Sequence, residues 1–406
     1  MRRHIHYSAS VLAFIFLTGC AAQGPFHKPV REQNAIAALQ RQIDLALQDS
    51  VLQQTRTGIK IVSLKTGETL YQKNSRELFH PASNMKLLTT ATALNRLGPD
   101  FRFRTLLLAD TGSINDSTIS GNIYLKGFAD PSLNTEDLHR MVKELRFRGI
   151  RRITGNLMCD ESYLDDLYLG QGWMWDDASS EDFAPISALT VNDNCVEVTV
   201  KPAARPGDGL LVRLEPQTDY MKIENHGVTV DSNDSVLTKA FKVERKWKHP
   251  ENTIVIEGGL IAGGPERTFK REVIDPARYA GTLFSDLLEQ QQISLQGTVL
   301  KGVAPDTTIL LAEHLSPPLS QIVFHTNKVS HNLSAELLLK TLGAEKKGVP
   351  GSAKKGISLI YQFLQEIGID STSYKLADGS GVSRYDLVTP ELIVALLRAM
   401  YHDFRV

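Results

Sequence analysis

His80-Pro81-Ala82-Ser83-Asn84-Met85-Lys86-Leu87-Leu88-Thr89-Thr90 sets a serine and a lysine three residues apart at the opening of an apolar run. Pro81 suits a helix entry, Ser83 falls in the cap or first turn, and nothing interrupts the run until Gly98-Pro99. One helix of about four turns is predicted, ending at Leu97. Met85, Leu88, Ala91 and Leu94 are apolar, and so are Leu87 and Ala93, which gives the helix apolar residues on more than one side and a place inside a core. Residues i and i+3 share a face, so Ser83 and Lys86 can touch. A serine hydroxyl needs a neighbouring base to become a nucleophile. A lysine serves only where burial or other cations lower its pKa from about 10.4. Taken alone, the tetrapeptide reads better as a capping serine followed by a solvated lysine, so support must come from elsewhere in the chain.

The chain has 406 residues, more than one ordinary core can use, and two or three domains are expected. A hydrophobic fraction of 42% with 22% charged residues is that of a globular protein, and a formal net charge of -1 provides no field for nucleic acid. The first twenty residues read as a targeting segment: Arg2 and Arg3, a short apolar core from Val11 to Leu17, then Leu17-Thr18-Gly19-Cys20. This end resembles the lipobox of bacterial lipoproteins, which implies acylation of Cys20 and an anchored, periplasmic protein. Ala21 after the cysteine favours the outer membrane. Cys159 and Cys195 remain, and an exported chain permits either a disulfide between them or two buried free thiols. The sequence has no C-x-x-C and no H-E-x-x-H, and its 11 histidines are scattered, so neither a metal nor a cofactor is expected.

Before the serine, residues 57–64 and 69–72 alternate as two strands around a turn at Lys65-Thr66-Gly67. Beyond Gly98 the character changes: residues 101–309 are mostly short alternating segments between Gly, Asn, Asp and Pro turns, with a helix near 135–147. The pairs Gly258-Gly259 and Gly263-Gly264 open no helix and read as turns rather than a phosphate loop. Helical signal returns at Tyr279 to Gln290. Later, Ser330-His331-Asn332 caps another amphipathic helix, and a Gly-rich loop from Leu376 to Arg384 precedes a last helix from Thr389. The expected organisation is a leader (1–20), a first part of an α/β domain (21–98), an inserted β-rich block (99–290) and the return of the first domain (291–406).

The motifs gain weight from their order: Ser-x-x-Lys on a buried helix, a long β-rich insert, then Ser-x-Asn heading another helix. That order resembles the penicillin-binding acyl-serine enzymes. The separation of 247 residues between Ser83 and Ser330, with Asp130-Pro131-Ser132-Leu133, Gly172-Trp173, Ala184 to Leu189 and Asp378 to Arg384, resembles the S13 family of D-alanyl-D-alanine carboxypeptidases. The resemblance implies a multi-domain α/β fold, a transpeptidase-like domain interrupted by inserted β-rich domains. It implies peptidoglycan stem peptides and β-lactams as partners. It also implies that Ser83 attacks, Lys86 takes its proton, Ser330 relays that proton to the leaving amine and Asn332 holds the substrate amide. The loop residues Asp378, Gly379 and Ser380 are expected to touch substrate.

A third family motif, Lys-Thr-Gly on an edge strand, is expected after the Gly-rich loop, yet the sequence reaches Val406 without one. Lys65-Thr66-Gly67 precedes the serine and is read as a plain turn. On this reading the chain is a fragment or a natural truncation, with little labelling by penicillin and a weakly stable first domain. The competing expectations are a non-catalytic cell-wall-binding lipoprotein on the same scaffold and a β-lactamase or esterase of the superfamily.

Overall fold

The computed structural model describes residues 30–174, 180–246, 248 and 251–403. The leader and Cys20 lie outside them. The described residues fall into two compact units that divide after Thr57. The first contributes a helix from Val30–Ala46 and a short turn of helix from Ser50–Gln53, capped by Asp49 Oδ1 accepting from the Val51 N–H at 2.9 Å.

The second unit opens with an antiparallel hairpin, Ile59–Val62 with Thr69–Lys73. Lys65-Thr66-Gly67 is its tip. Gly67 there adopts φ 74° and its N–H closes on the Ser63 carbonyl at 2.7 Å, as the turn reading requires. A 3₁₀ turn, Ala82–Asn84, then runs into the helix Met85–Leu97, which Gly98 ends at φ 88°. Met85, Leu88 and Ala93 have no exposed surface. One side of the helix packs with Leu339, Ile360, Phe363, Leu392 and Leu396, and another with Phe103, Leu319, Leu338 and Leu342. Apolar residues around most of its circumference thus find apolar partners on more than one side. The hairpin is tied to the last helix, Pro390–Tyr401, by Lys60 and Glu391 at 3.2 Å.

The middle block is mostly β. Its largest sheet has the order Val299–Lys301, Leu157–Asp160, Ile123–Gly127, Arg104–Asp110, Thr308–Leu315, and the helices Thr135–Phe147 and Pro276–Gln290 pack on the same core. The block also holds a three-stranded antiparallel sheet centred on Cys195–Lys201, a mixed three-stranded sheet centred on Thr253–Glu257, and a four-stranded and a two-stranded sheet of shorter strands. The sequence placed the return of the first domain at residue 291. Pairing instead carries the middle block's main sheet to Leu315, because Val299–Lys301 and Thr308–Leu315 form its two edges. The strand Thr308–Leu315 alternates too weakly to reveal which sheet it joins, and its register shifts between Leu310 and Ala312.

The disulfide alternative for Cys159 and Cys195 is not realised; both are free and buried. Cys159 lies in the five-stranded sheet with its Sγ against Gly281 of the helix Pro276–Gln290, where even an added Cβ would come within 2.3 Å. Cys195 opens a strand of a different sheet, in a separate core cluster with Ile186 and Leu333. The two thiols therefore face different cores. Burial pushes the Cys159 thiol up to about 12 and Cys195 well above its usual value, so neither is a ready nucleophile.

Candidate active site

Ser83 stands on the exposed 3₁₀ turn at the mouth of the helix Met85–Leu97. Ala82 before it has φ 46°, a left-handed conformation costly for a residue with a Cβ, and such strain persists only where packing holds it. One turn on, the Lys86 side chain runs beneath the serine and is 2% exposed. Its Nζ lies 3.2 Å from Ser83 Oγ, 2.6 Å from Asn332 Oδ1 and 2.9 Å from the Ser380 carbonyl oxygen. Burial lowers the Lys86 pKa, opposed by the carboxyl groups of Glu336, Asp378 and Asp182.

Ser330 ends the helix Leu319–Val329 in the left-handed region, φ 61°, and its hydroxyl donates to Ser83 Oγ at 2.7 Å. His331 then turns the chain and caps the helix Asn332–Lys347 through Nδ1, which accepts from the Ser334 N–H at 3.4 Å. Its ring points toward Asp193, away from Ser83, with Nε2 3.5 Å from that carboxylate. Asn332, in the first turn, donates through Nδ2 to the Asp182 carbonyl at 3.0 Å, and this fixes which amide atom faces Lys86. Ser83, Lys86, Ser330 and Asn332 thus meet around one point, brought there by two helix starts and one helix end.

The loop residues Asp378, Gly379 and Ser380, expected to touch substrate, are buried. Asp378 has no exposed surface and Ser380 is 1% exposed. Asp378 accepts from the N–H groups of Ser380, Gly381 and Ser383 and from Trp173 Nε1 at 3.0 Å. Gly379 is pressed against the Ala335 carbonyl and Leu339. The group they present to Lys86 is the Ser380 carbonyl.

Sequence reasoning gave no role to four residues that shape the site: Glu336, Asp386, Trp173 and Asp182. Glu336 Oε1 accepts from the N–H groups of Gly379 and Ser380 at 2.9 and 2.8 Å. Asp386 Oδ1 accepts from Ala377 N–H at 2.6 Å. Burial and the neighbouring Asp378 push both carboxyl groups well above the usual range. Glu336 was legible in principle: it follows Asn332 by four residues and so shares its helix face. Trp173 and Asp182 come from the middle block; Gly172-Trp173 entered the family resemblance without a role, and Asp182 carries no local signal.

Gly381 shows how closely the loop backs the nucleophile. Its φ is +83°, and a Cβ there would lie 1.8 Å from the Ala82 carbonyl oxygen. Gly381→Ala must displace either the loop or the serine turn. The expected result is a fall in Ser83 acylation on the order of 10²-fold, measured as the rate of covalent penicillin capture.

A serine hydroxyl held between a buried amine and a second hydroxyl, at the start of a helix whose dipole favours negative charge, is suited to acyl transfer through a covalent serine ester. Among the described residues no group of acidic, histidine or cysteine side chains could hold a metal ion, and no helix is long and apolar enough to cross a membrane. The chain belongs to the D-Ala-D-Ala carboxypeptidase 3 (S13) family, which it matches over residues 39–404. It is a serine-type D-Ala-D-Ala carboxypeptidase. It is 35% identical to the D-alanyl-D-alanine carboxypeptidase of Actinomadura sp. (strain R39), covering 89% of this chain and 68% of that protein. It is 27% identical to the D-alanyl-D-alanine carboxypeptidase DacB of Haemophilus influenzae, covering 84% and 70% respectively. The crystal structure of penicillin-binding protein 4 (dacB) from H. influenzae superposes with a TM-score of 0.75 at 26% identity, over 85% of this chain and 75% of that one. The same protein complexed with a β-lactam gives 0.68 at 25% identity, over 86% and 75%.

Proposed function

We propose that Ser83 is the nucleophile of this carboxypeptidase and Lys86 its general base, acting on peptidoglycan stem peptides that end in D-alanyl-D-alanine. The observation that carries this reading is the pair of contacts on Ser83 Oγ, one to the Lys86 amine and one to the Ser330 hydroxyl. Ser83 Oγ bonds to the carbonyl carbon between the two D-alanines as its proton passes to the neutral Lys86 amine. The carbonyl electron pair moves onto oxygen, toward the Ser83 backbone N–H at the helix start. When the tetrahedral species collapses, the C–N bond breaks and the leaving amine takes a proton from Lys86 through Ser330. Water then attacks the ester, gives its proton back along the same route and frees Ser83. A β-lactam enters at the first step, its ring C–N bond opening in place of the peptide bond.

Asn332 holds two jobs in this scheme: Oδ1 fixes the amine, and the residue stands where a substrate amide would pass. The test is mass spectrometry of the protein after benzylpenicillin, run beside an assay of D-alanine release from a pentapeptide. A single adduct on the peptide containing Ser83, with D-alanine released, is expected on this reading, in place of the little labelling expected from the lack of a Lys-Thr-Gly after the Gly-rich loop. Binding of muropeptides with neither adduct nor release would instead mark a non-catalytic wall-binding protein.

The proposal extends to location. Leu17-Thr18-Gly19-Cys20 supports export and acylation of Cys20, holding the enzyme at the periplasmic face of a membrane, the outer one on the evidence of Ala21. Cys20→Ala is expected to move the protein from the membrane fraction to the soluble fraction, together with loss of palmitate incorporation. Membrane association unchanged by Cys20→Ala would overturn the anchor.

A further inference from the structure

A neutral primary amine has two N–H bonds and one lone pair, and among the described residues three oxygens surround Lys86 Nζ. Only the lone pair can accept the Ser83 proton, so the two N–H bonds must be taken by the other two oxygens. Asn332 Oδ1 and the Ser380 carbonyl oxygen are those acceptors, at 2.6 and 2.9 Å. Asn332 is held by its own helix and by Asp182. The Ser380 carbonyl belongs to a loop with no helix or strand to hold it.

Two peptide groups of that loop are clamped instead. In the Gly379–Ser380 peptide, the carbonyl accepts from Thr89 Oγ1 at 2.8 Å and the N–H donates to Glu336 Oε1. The same Glu336 oxygen also receives the Gly379 N–H. In the Ser380–Gly381 peptide, the carbonyl faces Lys86 and the N–H donates to Asp378 Oδ1 at 2.7 Å. Glu336 has no exposed surface, and its Oε2 has no hydrogen-bond partner among the described residues. Such a group is costly to retain in a core unless it performs a task there.

We propose that Glu336 is a positioning residue for the general base: it locks the Ser380 carbonyl onto Lys86 and so aims the amine lone pair at the Ser83 hydroxyl. This rests on the roles given above to Ser83 and Lys86. One helix then supplies both restraints, Asn332 by direct contact and Glu336 one turn later through the loop. Burial and the nearby Asp378 keep the Glu336 carboxyl protonated above the usual carboxylate range. Protonated, the carboxyl still accepts both N–H groups through Oε1, whereas ionised it raises the Lys86 pKa.

The position therefore needs an acceptor rather than a charge, and this separates the variants. Glu336→Gln keeps the acceptor and is expected to acylate with benzylpenicillin within about threefold of wild type. Glu336→Leu removes it, and the first-order acylation step should fall on the order of 10²-fold while the dissociation constant of the preceding complex stays unchanged. A protein merely loosened by the change would lose both. Glu336→Met, flexible and of similar length, repeats the measurement should the leucine variant not fold. The inference is overturned if the leucine or methionine variant acylates like wild type, or if the glutamine variant falls as far as they do. Absence of any adduct in wild type would overturn the roles of Ser83 and Lys86, and this inference with them.

Discussion

Ser83→Ala is expected to abolish covalent capture of penicillin and to lower D-alanine release by at least about 10³-fold, while leaving the fold intact. The hydroxyl is solvent-exposed, and its two partners can turn to water when it is gone, so the stability change should stay within about 0.5 kcal/mol. Loss of activity in a protein that melts like wild type locates the chemistry at this atom. Ser330 Oγ is only 2.7 Å away and is the one described hydroxyl in contact with Ser83, so residual chemistry, if seen, should map there. A penicillin adduct formed at the wild-type rate by Ser83→Ala would end the assignment. Intact mass after timed exposure, with peptide mapping of any adduct, decides it.

Asp378→Ala should have the largest effect on stability, about 3–5 kcal/mol, read as a lower urea midpoint. Its carboxyl group gathers the N–H groups of Ser380, Gly381 and Ser383, the Ser380 hydroxyl at 3.3 Å and the Trp173 indole N–H. Deleting it leaves several buried donors without an acceptor in a region where water cannot replace it. Asp378→Asn should rescue little. Its oxygen could serve one side of the cluster, but its new NH₂ group would face donors on the other. A destabilisation below about 1 kcal/mol in the alanine variant would mean that the loop finds other acceptors. Because the same loop carries the Ser380 carbonyl, the alanine variant should also acylate poorly, whereas Ser83→Ala should be inactive yet stable. The two variants thus divide chemistry from support.

The nucleophile helix was readable because every cue for it is local. Pro81, the apolar spacing from Met85 to Leu94 and Gly98 all act within a few turns of chain, and the helix formed over Met85–Leu97 as predicted. Ser330-His331-Asn332 was readable as a cap for the same reason, although nothing in the sequence signalled that the chain there passes through a left-handed residue, Ser330. The buried side of the site was not readable in this way. Asp378 read as part of a Gly-rich loop, and nothing local showed that the loop folds onto Ala335 and Leu339 and turns the carboxyl group inward. The sequence pattern marked no strand over Thr308–Leu315, whose partner Arg104–Asp110 lies some two hundred residues earlier.

What the sequence by itself determined, then, is the position of the serine at a helix mouth, the lysine one turn below it and the order of the motifs along the chain. Tertiary structure alone decided that Lys86 lies in a nearly solvent-free cleft, that Asn332 and the Ser380 carbonyl take its two N–H bonds, and that Glu336 and Asp378 hold the loop behind it. The physical reason is one of range. Helix periodicity and capping act over three or four residues, whereas the burial and hydrogen bonds that make an amine a base come from segments hundreds of residues apart. Ser83-x-x-Lys86 is a common tetrapeptide until those distant groups close around it.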